Sequence, residues 1–267
     1  MFALAPLLGA KLTSPAPDLC VCTAHHYLLK EATRFQPINP EDRRTINRYT
    51  LLRVVAWSVA TTFLTTQVSA QHLAQGTICK PIGERTGDLG CWIMTDQPLG
   101  NIGKSEIFWH LDTYATRADA ERAKQPRGTV VESLGKVWLL SIEDKGWRPA
   151  GGERVAEIGP LPIDAREPYS AQYMEAIFSP GMTAPPHIHS GPEAWYTMSG
   201  ETCLETPQGK QVGRAGGEYV IVPGGPPMHL TATGTETRRA LVLILHETSK
   251  PPSTVVHDWT PKGLCKQ

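Results

Sequence analysis

Three histidines and one glutamate stand in two short segments at spacings that suit a metal ion. The first segment reads Gly181-Met-Thr-Ala-Pro-Pro-His187-Ile-His189-Ser-Gly-Pro-Glu193. His187 and His189 are two apart, so on a β-strand both rings leave the same face. Glu193 follows a Ser-Gly-Pro turn and opens an apolar run, Ala194 to Met198. The second segment, Gly217-Glu-Tyr-Val-Ile-Val-Pro223-Gly-Gly225-Pro-Pro-Met-His229, sets a third imidazole at a strand end. Neutral imidazoles and a carboxylate converging from separate strands make a ligand set for a divalent transition metal. Such an ion polarises a bound carbonyl or hydroxyl, acidifies a water, or binds dioxygen if it is iron. His-x-His occurs once, so one ion per chain is expected, with Mn, Fe, Ni, Cu and Zn all compatible with these ligands.

The elements that must position these residues read as short strands. Residues 171–178 lead into the first segment, and residues 193–198 and 201–205 read as a hairpin about Ser199-Gly200. Residues 211–212, 218–222, 230–232 and 240–246 follow as further strands, the last a long apolar one. With Glu193 inward, Trp195 and Thr197 share its face. Tyr173 and Glu175 share a parity and are candidates for the cavity side, and His246 ends its strand as a structural histidine. Upstream, residues 91–94, 105–111, 129–131, 136–142 and 155–158 are strand-like. Residues 116–124 form a short helix that Thr116 can cap, and Gln125-Pro-Arg-Gly breaks it. Residues 159–163 read as a connection.

The first segment resembles the first cupin motif: Gly, five residues, His-x-His, a short gap, Glu, six residues, Gly. Gly181, His187, His189, Glu193 and Gly200 hold those positions. The second is similar to the other cupin motif through Gly217, Pro223, Gly225 and His229. Three residues separate Gly225 from His229 where two are usual, and Thr233 stands near where the family often has Asn. The resemblance covers roughly residues 170 to 247. It implies a mainly β fold, an antiparallel double-sheet jelly-roll (cupin) barrel with extra N-terminal strands and a short helix. It implies metal ligation by His187, His189, Glu193 and His229. It also implies oxidase, dioxygenase, decarboxylase or isomerase chemistry on a small molecule, or ligand binding without turnover. Many members of that family are dimers, so a homodimer is compatible with it.

Arg43, Arg44, Arg48 and Arg53 precede the apolar run 54–64, and small residues end at Ala70. That is the pattern of a secretory signal cut after Ala70, which directs the protein to the periplasm or outside the cell. Residues 1–42 ahead of it read as an over-extended start. Residues 54–70 are short for a span of about 20 residues, so no stable membrane span is expected once the leader is removed. The expected organisation is then a leader at 1–70, a β-rich region with one helix at 71–165, the metal-binding barrel at 166–250 and a tail at 251–267. The 71–165 region reads either as a degenerate second cupin half or as extra strands wrapped around one barrel. Four cysteines remain after the leader, Cys79, Cys91, Cys203 and Cys265, and sequence does not choose among their three pairings or free thiols.

The 267 residues carry a formal net charge of +0 and only 19% charged residues, with no basic cluster in the globular part. Nucleic acid is therefore not an expected partner. No phosphate loop, nucleophile elbow or dinucleotide fingerprint occurs, which disfavours serine hydrolases and nicotinamide enzymes. The expectation is an exported, metal-dependent cupin enzyme of oxidoreductase type acting on a small organic molecule. The competing expectation is a binding or sensing cupin with a structural metal.

Overall fold

The computed structural model describes residues 78–266. The leader expected at 1–70 lies outside the described residues. A short parallel strand β1 (Lys80–Pro81) and a 3-10 turn lead into β2 (Gly90–Asn101). Next come β3 (Glu106–Tyr114), helix α1 (Arg117–Ala123), β4 (Gly128–Ser133), β5 (Lys136–Glu143) and β6 (Glu153–Pro162). The motif-bearing half contains β7 (Pro168–Phe178), β8 (His187–His189), β9 (Glu193–Ser199), β10 (Glu201–Thr206) and β11 (Gly209–Arg214). It continues through β12 (Val220–Val222), β13 (His229–Thr233), β14 (Arg238–Glu247) and β15 (Ser253–Val255). Among the described residues no helix is long and apolar enough to cross a membrane.

The strands form a six-stranded sheet in the order β1-β2-β7-β14-β9-β12, and β11-β10-β13, β15-β8 and β4-β5-β3-β6 make three smaller sheets. Alternation along the six-stranded sheet explains its composition. In β14, Ala240, Val242 and Ile244 enter the inner core with Met174, Ala176, Phe178 and Trp195. Leu241, Leu243 and Leu245 of the same strand enter a second core with Tyr169, Ala171 and Tyr173 of β7 and with Trp109 and Trp138. The four-stranded sheet therefore lies on the outer face of the six-stranded one. A strand buried on both faces must be apolar at every position, which is why β14 reads as a continuous run. The mainly β, antiparallel, jelly-roll-like architecture expected from the sequence is thus present, with the segment 106–162 as an added outer layer.

Several local expectations are met and others corrected. The Thr116 hydroxyl accepts the Asp119 backbone N–H at 3.1 Å, capping α1 as expected. Residues 159–162, read as a connection, belong to β6, where Leu161 pairs with Ile107 and Pro162 with Glu106. The expected hairpin of residues 193–205 is not a paired hairpin. β9 pairs with β14 and β12, whereas β10 pairs with β11 and β13. Gly200 is the corner where the chain leaves one sheet for the other. Its φ is +67°, and a Cβ there would lie 2.8 Å from the Arg238 backbone N and Cα. Tyr173 and Glu175 face away from the inner core, because that side of β7 carries the even-numbered residues. Glu175 instead receives Arg85 at 2.6 Å and the Ser133 hydroxyl at 2.5 Å on the outer side.

Two disulfides close the structure, Cys79–Cys91 and Cys203–Cys265. Their sequence separations of 12 and 62 correspond to loop-closure contributions of about 3 and about 4 kcal/mol in the chain-entropy account. The second bridge holds residues 256–266 against β10, and buried Glu205 fixes them further by accepting the backbone N–H groups of Lys262 and Leu264.

The Gly200 corner yields a paired prediction. Gly181 also has positive φ, +85°, but a Cβ there meets nothing within 4 Å. Gly181→Ala is expected to cost about 1–2 kcal/mol from backbone strain alone. Gly200→Ala adds a clash with the β14 backbone and is expected to cost about 3 kcal/mol. Urea unfolding of both variants beside the wild type measures the difference.

Candidate metal centre

β8 is only three residues long, and four backbone contacts fix its place. His187 and Met228 exchange N–H···O bonds of 3.0 and 2.8 Å. The Gly225 N–H donates to the His189 carbonyl at 2.9 Å. On the other side β15 pairs with it, Ser253 opposite His189 and Val255 opposite His187. The Ser190-Gly191-Pro192 turn then carries the chain against β14, where a Cβ on Gly191 would fall 2.0 Å from the Leu245 carbonyl oxygen. Only glycine allows this approach, and it delivers Glu193 to the start of β9, opposite Val222 and Ile244.

These supports bring His187, His189 and Glu193 together, with ligand atoms all within 4.8 Å of one another. The ring orientations follow from acceptors that cannot themselves donate. His187 Nδ1 lies 2.7 Å from the Pro185 carbonyl, and His189 Nδ1 lies 2.8 Å from the Pro252 carbonyl. A carbonyl only accepts, so each Nδ1 carries the hydrogen and each Nε2 presents its lone pair when the ring is neutral. The two Nε2 atoms are 3.1 Å apart. Glu193 Oε2 is 3.4 Å from His189 Nε2 and is buried without a hydrogen-bond partner. Two facing lone pairs and a carboxylate oxygen without a hydrogen-bond partner, all withdrawn from water, favour a cation among them, be it a proton on one ring or a metal ion. A divalent metal fills that role, and carbonyl partners on the far ring nitrogens are how metal-binding imidazoles are usually oriented. The donor set therefore fits the metal that the sequence implied.

Electrostatics agree. Burial opposes the charged form of His189, but the Glu193 carboxylate and the Pro252 carbonyl outweigh it, and the ring's pKa is raised. Burial also works against ionised Glu193, yet the neighbouring His189 and His187 turn its pKa downward. His187 is lowered, first by burial and then by repulsion from His189.

The structure does not bring His229 into this group. Leu230 and Ala232 of β13 fill the inner core, so His229 and Thr231 point to the opposite face. His229 stands across from Glu205 in the β10–β13 ladder. The extra residue between Gly225 and His229 is the cause, since a one-residue shift on a strand reverses the face. Counting the usual two residues from Gly225 ends on Met228, which is fully buried in the inner core opposite His187. Trp195 does line the cavity beside the histidines, as expected from its parity with Glu193. His246 is held by Asp96 at 3.2 Å and by carbonyls of Glu247 and Lys250, a structural arrangement.

The histidines and Glu193 line a cavity of about 270 Å³, with Met174, Phe178, Trp195, Val242 and Ile244 as apolar walls. Arg238 also lines it, and sequence reading passed it over. The available signal was parity, because Arg238 shares its face of β14 with Ala240, Val242 and Ile244.

A jelly-roll of antiparallel strands, with His-x-His and Glu converging in its interior, decides the type. Residues 168–247 have a cupin-like jelly-roll arrangement of strands. No family model and no curated protein matches the chain. Solved structures align with part of the chain. A cupin superfamily protein from Desulfitobacterium hafniense matches 33% of this chain and 74% of its own, at 14% identity and a TM-score of 0.27. A cupin-like protein from Thermotoga maritima matches 43% of this chain and 96% of its own, at 14% identity and a TM-score of 0.32. An oxalate oxidase in complex with glycolate matches 33% of this chain at 26% identity and a TM-score of 0.27. The chain spans less than half of that oxidase, 46% of its length.

The raised His189 sets a pH signature for the metal-free protein. A group with a folded pKa above its ordinary 6.5 stabilises below that value, and the gain is lost as pH rises through the folded pKa. The other shifted histidines here, His110, His187 and His229, are lowered and act below 6.5. Chelator-treated protein is therefore expected to lose melting temperature as pH rises above the ordinary histidine value of 6.5. Glu193→Gln should abolish that decline. Saturating metal should reverse its sign, since the ion displaces protons from Nε2.

Proposed function

We propose that this protein is an exported metalloenzyme of oxidoreductase type, acting on a small organic molecule inside the cupin cavity. The observation that carries the reading is the pair of Nε2 atoms 3.1 Å apart beside the unpartnered Glu193 oxygen. His187, His189 and Glu193 would hold one divalent ion. When bound, that ion supplies Lewis acidity or redox capacity. Three protein donors leave coordination positions for a ligand, the pattern of a catalytic rather than a closed structural site. The residues around them have separable tasks. The Pro185 and Pro252 carbonyls hold the rings in the ligating tautomer. Trp195, Phe178 and the aliphatic walls exclude water, which strengthens every polar interaction within. The volume of about 270 Å³ equals about nine waters at roughly 30 Å³ each, so the substrate is small.

Export is supported by the leader pattern at 43–70 and by two disulfides, which persist in oxidising compartments. Partners are then the small-molecule substrate and, as the family resemblance allows, a second copy of the chain.

Elemental analysis of protein purified without chelator or affinity metal is expected to find near one Mn, Fe, Ni, Cu or Zn per chain. His187→Ala, His189→Ala and Glu193→Gln should each lower occupancy at least about tenfold, in line with loss of a ligand. His229→Ala should retain the metal, because its ring lies on the other face of β13. No retained metal in any preparation, even after adding ions back, would overturn the metalloenzyme reading. Retained metal with no oxygen uptake, and no other turnover, across a panel of small organic acids and alcohols would instead favour the binding or sensing cupin.

A further inference from the structure

We infer that the cavity binds a ligand bearing a carboxylate or similar planar oxyanion, and that Arg238 receives it; this rests on the cavity reading above. Arg238 is 0% exposed. Its Nε donates to the Thr202 hydroxyl, but Nη1 and Nη2 have no hydrogen-bond partner. The guanidinium lies between aromatic walls, 5.7 Å from the Phe178 ring centroid and 5.9 Å from that of Trp195. Nη1 and Nη2, without partners, are the polar edge it brings to the cavity it lines. An arginine placed this way is preorganised for a bidentate acceptor, and a carboxylate matches its two parallel N–H groups.

Charge balance points the same way. Glu193 and Arg238 are the only residues with fixed formal charges among those lining the cavity. A divalent ion with one carboxylate carries a net +1, and Arg238 raises the total to +2 in a largely apolar space. Uncompensated buried charge is strongly unfavourable. An anionic ligand offsets this charge, and a carboxylate also accepts one N–H from each of Nη1 and Nη2. The placement suits a small bifunctional molecule. Glu193 of β9 lies opposite Ile244 of β14, whereas Arg238 starts β14 six residues earlier, so the two groups reach the cavity at levels well separated along the sheet. One end of the ligand would sit on the guanidinium and the other toward the His-Glu group. Burial lowers the arginine's pKa to about 10, with Glu193 opposing the drop, so the group stays charged at neutral pH.

The test uses chelator-treated protein, so that direct anion binding to metal does not contribute. Acetate, and acetamide as its uncharged isostere, are titrated calorimetrically at constant ionic strength in chloride. Saturable acetate binding at least tenfold tighter than acetamide is expected. Arg238→Met should abolish it, and Arg238→Lys, which keeps the charge but loses the fork, should weaken it at least fivefold. Both variants should keep the metal content of the wild type when purified without chelator. Equal binding of acetate and acetamide to wild type, displacement of acetate by added chloride in excess of the ionic-strength effect, or unaltered acetate affinity in Arg238→Met would each overturn the inference. Should Arg238→Met fail to fold, the acetate and acetamide contrast and the lysine variant decide it. Loss of metal from wild type with acetate binding intact would sink the metalloenzyme reading and leave this one standing.

Discussion

Two imidazole nitrogens face each other across 3.1 Å with their lone pairs turned inward, and the rest of the domain is arranged to keep them so. The orientation is not a property of the histidines. It is imposed by two proline carbonyls, one just before β8 and one just before β15, each claiming an Nδ1 hydrogen. In water neither ring would hold this position, because each nitrogen would find its own solvent partner. Inside the cavity the choice is between a cation and an uncompensated repulsion. The jelly roll can supply this constraint because both strands that flank β8 are fixed elsewhere, β15 by the tail disulfide and the Met228 segment by β13.

The six-stranded sheet separates two kinds of chemistry. Its inner face is apolar apart from a few directed polar groups, among them Gln172, Glu193 and Arg238. Its outer face is sealed by the β4-β5-β3-β6 sheet and by the indoles of Trp109 and Trp138. The same chain covers it, so β7 and β14 are buried from both sides and held stiffly. β9, which begins with Glu193, is paired along β14 and so rests on this doubly covered strand.

The grouping of His187, His189 and Glu193 was legible because their spacing is local, fixed by one strand and one turn. The chain's identity as a mainly β, jelly-roll protein was legible for the same reason, through short apolar runs and turn residues. What stayed hidden depended on register. His229 read as a ligand by residue type, but the third residue after Gly225 shifts β13 by one position and sends the ring to the far face. The 193–205 segment read as a hairpin because Gly200 is a good turn residue. Whether the strands on either side pair with each other or with distant strands is a tertiary matter, and here both take distant partners. Tyr173 and Glu175 illustrate the same limit, since parity groups residues without saying which group faces in. Arg238 was missed although its parity was readable, because a charged residue at the start of an apolar run looks like an ordinary solvated end.

The pairing of β15 with β8 has a consequence in time. His189 receives its orienting acceptor from Pro252, 63 residues further along the chain. During synthesis the histidine leaves the ribosome first, and the carbonyl that sets its tautomer follows only after six intervening strands. A nascent chain that has just exposed His-x-His therefore holds flexible, unspecific donors. The ordered set exists only once the later segment has crossed back, so any ion selectivity built on this tautomer arises after translation of this region, in the compartment where folding is completed.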